Sequence, residues 1–166
     1  EYTPASPGCS RCPVAAAGRA RAADAVACFP APKTKRPPRA VDAVAVLVER
    51  AGKLLLVRRP PTGLWGGLWE PPWQASPAID DSVAAAVAKR CTGLALSNIQ
   101  SVGRFDHVLT HRRMRFHVFA AHGRGRLALA GYDAARWQPR SDALEVGVAA
   151  WTRRLLDTRS EANEQP

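Results

Sequence analysis

Long apolar segments are missing from this sequence of 166 residues. No window approaches the roughly 18 uninterrupted apolar residues that a membrane-spanning helix requires, and the N-terminus lacks the charged-then-apolar pattern of a secretion signal. We therefore expect no membrane span and a soluble protein of the cytoplasm. The sequence begins with Glu1 rather than with methionine, which indicates a piece of a longer protein.

Acidic residues are also scarce. The 14 Asp and Glu residues stand against 24 Lys and Arg, which gives a formal net charge of +10 and a pI near 10.5. This excess favours a polyanionic partner, either nucleic acid or an anionic membrane surface. Arg-rich bacterial proteins of high-GC genomes have the same balance, so charge alone leaves the partner open. With 46% hydrophobic residues, one core and one domain with tails are expected.

The sequence changes character near residue 40. Residues 1–39 contain three of the four cysteines and an alanine-rich helical stretch over residues 14–27, and they end in the basic, proline-rich linker PAPKTKRPPR. Residues 40–159 alternate apolar β-rich runs with helical patterns, and residues 160–166 form a polar tail.

Residues 40–159 predict a mixed sheet with flanking helices, an α+β fold of the α/β/α sandwich type. Six β-rich runs are predicted as strands: residues 40–49, 53–59, 64–70, 98–105, 113–121 and 126–130. Residues 80–94 predict a helix with Asp80 or Asp81 near its N-cap and Gly93 past its end. Its apolar face carries Ala84, Val87 and Ala88. Residues 141–158 predict a closing helix.

One segment is unusually rich in tryptophan, glycine and proline. Residues 58–72 have the sequence RRPPTGLWGGLWEPP, and the helix that follows ends in KRCTGL. This combination resembles the C-terminal, Nudix-like domain of bacterial adenine DNA glycosylases, the MutY family, which excise adenine mispaired with 8-oxoguanine. The resemblance continues in FDHVLTHRRMRFHVF (105–119) and ARWQP (135–139), so it spans nearly the whole chain. It implies a Nudix-like sandwich that acts in base excision repair.

The resemblance also implies roles for the parts of the chain. Residues 1–39 correspond to a remnant of the family's iron–sulfur loop region and the interdomain linker, and residues 40–159 to its lesion-recognition domain. The implied partners are double-stranded DNA containing 8-oxoguanine and the N-terminal glycosylase domain of a parent chain, with the protein a monomer on the nucleoid of a bacterial cell. Removal of a flipped adenine needs a helical catalytic domain that these residues do not contain.

The carboxylates of a Nudix hydrolase are absent. Such enzymes hold Mg²⁺ with the box Gly-x5-Glu-x7-Arg-Glu-U-x-Glu-Glu-x-Gly-U, where U is a bulky aliphatic residue. Aligned on Gly93 and Leu94, the charged positions of the box are occupied by Ala78, Ala86, Val87, Arg90 and Cys91. Because an Arg and a Cys at these positions cannot bind Mg²⁺, we predict a scaffold without pyrophosphate hydrolysis.

The cysteines match half of the family's iron–sulfur motif, Cys-x6-Cys-x2-Cys-Pro-x4-Cys. Cys9 and Cys12 fit its middle, whereas Tyr2 and Gly18 occupy the outer two positions. Two thiolates of four do not make a normal cluster, so we expect the cluster to be lost and no cofactor to be bound.

The remaining cysteines leave two alternatives open. Cys9, Cys12 and Cys28 with a histidine would form a zinc site of loose spacing. Otherwise the cysteines are residual thiols, reduced in the cytosol. In that case Cys28 and Cys91 are expected to be small buried apolar residues.

The tryptophan-rich segment has two interpretations. In the first it approaches DNA, with Arg58 and Arg59 on phosphates and the glycines allowing close backbone contact. In the second, which we favour, Trp65 and Trp69 alternate with small residues on a strand and fill the space between sheet and helix. The motif residues concerned are Gly63, Trp65, Gly67 and Trp69.

The resemblance assigns lesion recognition to a second motif. Leu109, Thr110 and His111 match the family's Phe-Ser-His loop. Thr110 keeps a hydroxyl for the edge of the damaged base, and Leu109 keeps an apolar wedge without the aromatic face. Three arginines that follow are expected to contact phosphates: Arg112, Arg113 and Arg115. A basic hairpin that is merely solvated is the alternative.

Two other functions remain open for the whole chain. A stand-alone Nudix-type hydrolase with a divergent box would need displaced carboxylates, for which Glu70 and Asp80 or Asp81 are the candidates. A basic protein-interaction module would need neither carboxylates nor DNA.

Overall fold

The structure, a computed structural model, describes residues 8–29 and 37–162, with side chains up to residue 157. Tyr2, most of the predicted linker and the end of the predicted tail lie outside the described residues. The chain divides into two compact units, Glu1–Pro37 and Pro38–Pro166. No helix among the described residues is both long and apolar enough to cross a membrane.

The first unit contains short turns of helix. Three are 3₁₀ turns and one is an α-helical turn: Cys9–Arg11, Ala15–Ala17, α1 (Arg19–Ala22) and Val26–Cys28. The prediction of one helix over residues 14–27 is therefore wrong. Gly18 leaves the helical region with ψ at 93°, and Asp24 has a positive φ of 49°, so the backbone turns at both points.

The second unit is built on one mixed sheet. Its strands are β1 (Arg39–Arg50), β2 (Lys53–Arg58), β3 (Trp69–Glu70), β4 (Trp73–Ala75), β5 (Ala95–Val108), β6 (Arg112–Arg124) and β7 (Ala134–Pro139). The main order is β3-β2-β1-β6-β5, with β4 paired to β1 and β7 paired to β2. Only the β1–β6 pair is parallel among these strands, and the mixed sheet is as predicted.

Two predicted strands need correction. Only Trp69–Glu70 of the predicted strand 64–70 is extended in the sheet, because the preceding residues form a turn. Residues 126–130 are not a strand. Their backbone bonds to the end of a helix instead, since Ala128 N–H donates to Thr92 O at 2.8 Å and Ala130 N–H donates to Cys91 O at 3.1 Å. β7, which the sequence analysis did not predict, lies beside β2.

The helix α2 (Asp81–Thr92) forms where it was predicted. Asp80 caps it, because its carboxylate accepts a hydrogen bond of 2.9 Å from the Val83 N–H, and Gly93 ends it with a φ of 75°. The helix α3 (Ala150–Ala162) begins later than the predicted start at residue 141. The reason is that residues 147–149 are extended along Trp69, whose backbone bonds to Gly147 and Ala149.

Both faces of the sheet are covered. On one face, α3 contributes Trp151, Leu155 and Leu156 to a core with Leu47 and Phe116. On the other face, α2 contributes its buried residues to a second core with residues of β1 and β6: Ala84, Val87, Ala88 and Cys91. A strand buried on both sides carries a continuous apolar run, which explains the AVAVLV segment of β1. The predicted α/β/α sandwich is confirmed.

Candidate functional site

The second motif forms the turn between β5 and β6. Leu109 N–H donates to Arg112 O at 2.7 Å, which closes the turn and leaves Thr110 and His111 exposed at its tip. The His111 carbonyl accepts a 3.2 Å hydrogen bond from Arg39 N–H at the start of β1. The tip is therefore tied to two strands. We call residues 108–113 the hairpin turn.

The two faces of the hairpin turn differ. Leu109 is half-buried and packs against the core under α3, whereas Val108 is 57% exposed. Val108 is the register partner of Arg113. Because side chains alternate along a strand, Arg113 lies on the sheet face opposite to that of buried Met114. The exposed apolar side chain at this turn is thus Val108 rather than the predicted Leu109.

The arginines of the hairpin turn are not equivalent. Arg112 and Arg113 are exposed, and within the described residues neither side chain has a hydrogen-bond or ion-pair partner. Arg115 lies between two carboxylates, 3.7 Å from Asp42 and 3.5 Å from Asp106. The positive charge available to an external anion is therefore concentrated in Arg112 and Arg113.

The hairpin turn rests on the tryptophan-rich segment. The ring of His107 lies 5.7 Å from the ring of Trp65, between their centroids. Burial lowers the pKa of His107 below its ordinary value, and the positive charge of Arg154 adds to this effect. The lowered pKa favours the neutral form of the imidazole that packs on the Trp65 indole at the base of the turn.

Residues 59–68, here called the tryptophan loop, form a closed turn rather than a strand. Gly63 and Gly67 have φ values of 87° and 73°, and a Cβ on Gly66 would collide with the Pro61 carbonyl. These positions therefore require glycine. Trp65 itself has a positive φ of 58°, which is strained for a residue with a large side chain. Its predicted place on a strand is wrong.

Packing against other aromatic rings stabilises the strained backbone conformation of Trp65. The indole contacts Trp73, Phe116 and Trp151, with centroid distances of 5.7, 6.3 and 6.0 Å. Phe116 and Trp151 are themselves stacked at 4.2 Å with an angle of 8° between their planes. Such pairs add to the stabilisation from apolar burial. The packing interpretation of this segment therefore agrees with the structure.

Glu70 is a buried carboxylate under the tryptophan loop. Its Oε1 accepts from Arg59 Nε at 2.6 Å and from Trp73 Nε1 at 2.8 Å, and its Oε2 accepts from Trp151 Nε1 at 3.2 Å. Burial raises the pKa of Glu70, although the Arg59 charge and the three donors oppose that rise. Because its guanidinium is committed to Glu70, we withdraw Arg59 from the predicted phosphate contacts.

The positions of the hydrolase box are distributed over two environments. Ala78, Ala86 and Arg90 are exposed, whereas Val87 and Cys91 are buried in the core under α2. Burial raises the pKa of the Cys91 thiol. None of the five positions therefore carries a carboxylate.

Two of the three candidate carboxylates of the alternative hydrolase, Glu70 and Asp80, have structural partners. Glu70 is held as described above. Asp80 accepts hydrogen bonds from the Ser82 hydroxyl and the Val83 N–H, and these lower the pKa of Asp80. Within residues 8–29 and 37–162, no three His, Cys, Asp or Glu side chains form a group that could hold a metal ion.

The cysteines of the first unit lie near its surface. Cys9 is half-buried, and its carbonyl accepts a 3.2 Å hydrogen bond from Arg21. Cys12 and Cys28 are exposed. The prediction that Cys28 is buried is wrong, whereas Cys91 is buried as predicted.

Arg136 is a functional candidate that the sequence analysis missed. It lies exposed on β7, and its guanidinium is 5.3 Å from the centre of the Trp69 ring. Arg58 contacts the same ring at 5.8 Å. The alternation of Arg136 and Gln138 with Ala135 and Trp137 was the available signal for the strand.

Comparisons with known proteins agree with this architecture. The model of the NUDIX domain family matches residues 43–158. The human adenine DNA glycosylase is 25% identical over 147 residues, which cover 83% of this chain and 27% of that protein. The mouse adenine DNA glycosylase is 30% identical over 104 residues, 57% of this chain and 20% of that protein. The chain thus spans only 27% and 20% of the lengths of these two relatives.

Solved structures share the fold. The MutT protein of Methanosarcina mazei Go1 superimposes with a TM-score of 0.67 at 18% identity, over 78% of this chain and 99% of that protein. At this identity the likeness concerns the fold alone.

Proposed function

The chain belongs to the NUDIX domain family, and from this premise we propose that it is a C-terminal DNA lesion-recognition domain of an adenine DNA glycosylase. Its ligand would be duplex DNA in which 8-oxoguanine stands opposite adenine. We further propose that the partner of this domain is the N-terminal glycosylase domain of a parent chain. The parent protein would act as a monomer on the nucleoid, in a bacterial cytoplasm.

One observation carries the proposal. Thr110 and His111 are exposed at the tip of the hairpin turn, and neither side chain has a hydrogen-bond partner among the described residues. A hydroxyl and an imidazole can both donate and accept, so they can address the edge of a base. Arg112 and Arg113 beside them supply the positive charge that phosphate contacts need.

The hydrolase alternative finds less support in these residues. The Nudix hydrolases among the structural relatives fit the fold equally well. However, the positions of the metal-binding box carry no carboxylate, and Glu70 already accepts three hydrogen bonds inside the domain. We therefore propose that the Nudix fold serves this chain as a scaffold and does not hydrolyse pyrophosphates.

The proposal is tested by the binding ratio of two duplexes. Fluorescence anisotropy gives the Kd of the chain for duplexes with 8-oxoguanine·adenine and with guanine·adenine in the same low salt. We expect tighter binding to the lesion. Thr110→Ala and His111→Ala should lower this preference by about 1 to 3 kcal/mol, the value of a good base contact, and leave the undamaged duplex nearly unchanged.

Arg112→Ala is the matched control. Because a phosphate contact carries no sequence information, this variant should weaken both duplexes by the same factor. A wild-type chain without lesion preference would overturn the proposal. So would a Thr110→Ala variant that loses both affinities equally, because the threonine would then be another backbone contact.

A further inference from the structure

Two arginines converge on one tryptophan where β3, β2 and β7 lie side by side. The guanidinium carbons of Arg58 and Arg136 lie 5.8 and 5.3 Å from the centre of the Trp69 ring. Both arginines are exposed, and Trp69 is half-buried. We call Arg58 and Arg136 the Trp69 arginine pair.

Strand pairing fixes this arrangement. Trp69 is the register partner of Arg58 across β2 and β3, and Arg136 is a diagonal neighbour of Arg58 across β2 and β7. The Trp69 backbone is also held from its other side, because its N–H donates to Gly147 O at 2.9 Å and its carbonyl accepts from Ala149 N–H at 3.1 Å. The cluster is therefore built on hydrogen-bonded strands.

Other arginines stacked on tryptophan have internal acceptors. Arg50 stacks on Trp137 at 4.7 Å and donates to the carbonyls of Gly123 and Gly125. Arg59 stacks on Trp73 at 4.8 Å and forms the ion pair with buried Glu70. In these two cases the stacked guanidinium serves the fold.

The Trp69 arginine pair has no such acceptors. Among the described residues, neither Arg58 nor Arg136 forms a side-chain hydrogen bond or an ion pair. Asp133 approaches Arg58 only through its backbone, since its N–H donates to the Arg58 carbonyl at 2.9 Å. Two forked donors of like charge are thus held near one ring with no carboxylate between them.

This arrangement suits a phosphate group. A cation–π contact positions the guanidinium over the ring face and leaves its N–H donors free. Planar guanidinium forks bind phosphate oxygens through paired hydrogen bonds, and an anion between two arginines also relieves their mutual repulsion. The net charge of +10 gives a polyanion a general attraction to the chain as a whole.

We propose that Arg58 and Arg136, positioned by Trp69, bind a phosphodiester group of a nucleic-acid backbone. The identity of the polyanion rests on the proposed function. β2 runs antiparallel to β1, so it ends toward the end of the sheet at which β1 and β6 begin. The Trp69 arginine pair and the hairpin turn therefore lie toward the same end of the sheet, where one duplex would contact both.

The first test measures duplex affinity against salt concentration. Arg136→Gln and Arg58→Gln should each weaken every duplex by about three- to tenfold and reduce the slope of log Kd against log salt by about one. Arg136→Lys, which keeps the charge but not the fork, should fall between them and the wild type. Arg126→Gln, an exposed arginine beyond the end of β6, is the matched control for loss of charge. Circular dichroism and thermal melting check that each variant is folded.

The second test separates a nucleic-acid phosphate from a free one. Inorganic phosphate, dAMP and a duplex are titrated into the labelled chain while the Trp69 indole N–H signal, assigned by its loss in Trp69→Phe, is followed by NMR. We expect all three to shift the signal, with the duplex effective at far lower concentration, and Arg136→Gln to require a higher concentration of each for the same shift.

The outcomes are separable from those of the proposed function. Unchanged duplex affinity and salt slope in folded Arg136→Gln would overturn the backbone site, even if the lesion preference of Thr110 persists. A signal that responds to dAMP and phosphate but not to duplex would also overturn it, in favour of a free-nucleotide site. Loss of duplex affinity in Arg136→Gln without any lesion preference would support the site and contradict the proposed function.

Discussion

Arg59 and Glu70 form an ion pair, with Nε 2.6 Å from Oε1, in which the carboxylate has no exposed surface. The pair joins the start of the tryptophan loop to β3. Since the indole N–H groups of Trp73 and Trp151 bind the same carboxylate, it also joins the loop to β4 and α3. One buried charge therefore organises the packing beneath the hairpin turn.

We predict a large loss of stability when Arg59 is removed. Arg59→Ala leaves a buried carboxylate without its countercharge, which costs about 3–5 kcal/mol. Arg140→Ala is the matched control. Arg140 pairs with Glu49 at 3.8 Å, and both side chains of this pair are exposed to solvent. Exposed ion pairs contribute about 0–1 kcal/mol to the free energy of unfolding. Chemical denaturation measures both. If both variants lost the same free energy of unfolding, the Arg59–Glu70 pair would contribute no more than an exposed ion pair.

The raised pKa of Glu70 predicts a pH dependence of stability. The native carboxyl binds its proton more tightly than the unfolded one, whose ordinary pKa is 4.5. As the pH rises from that value through the folded pKa, the native state loses this advantage, so the contribution of Glu70 to the free energy of unfolding falls. The stability of the wild type minus that of Glu70→Gln should therefore decrease with pH and then level off. An increase would show that Arg59 outweighs burial.

Local signals in the sequence accounted for α2 and for the strands β1 and β2. Asp80 caps the helix and Gly93 ends it, and both act within a few residues of the backbone that they bind. The late start of α3 and the turn at Trp65 were not predictable in this way. Each depends on partners far along the chain: Trp69 holds residues 147–149 extended, and Trp151 packs on Trp65. A glutamate on a strand is ordinarily expected in water, so Glu70 gave no sign of its buried role.

We predict no Mg²⁺-dependent hydrolysis by this chain. Val87 and Cys91 fill the core and Ala86 and Arg90 are exposed where a Nudix hydrolase carries charged residues, so no metal is held against a pyrophosphate. Release of phosphate or nucleoside monophosphate from 8-oxo-dGTP, ADP-ribose and dinucleotides measures this activity. Steady turnover that is abolished both by EDTA and by a folded Glu70→Gln variant would establish the hydrolase instead.

We also predict that the purified chain is colourless and keeps its fold in chelator. The iron–sulfur motif has four cysteine positions. Two of them carry Cys9 and Cys12, and the other two carry Tyr2 and Gly18. Iron and sulfide analysis, together with melting curves with and without EDTA, measures both properties. Stoichiometric iron, or a lower melting temperature in EDTA, is the contrary result. Cys9→Ser with Cys12→Ser then identifies whether these thiols are the ligands.

The last prediction concerns which apolar side chain of the hairpin turn meets DNA. Val108 is 57% exposed, whereas Leu109 packs against the core under α3. Val108→Ser should therefore change the free energy of unfolding by no more than about 0.5 kcal/mol, since it alters an exposed side chain, and yet weaken binding to the lesion duplex.

Leu109→Ala should show the opposite pattern. Because it removes half-buried apolar surface, it should cost about 1–2 kcal/mol of stability, while the fraction of the variant that remains folded binds the duplex as the wild type does. Denaturation curves and anisotropy on the same samples separate the two effects. If Leu109→Ala loses affinity in the folded state and Val108→Ser does not, then the side chain that the sequence motif indicates enters the duplex, and the turn must rearrange on binding to release Leu109 from the core.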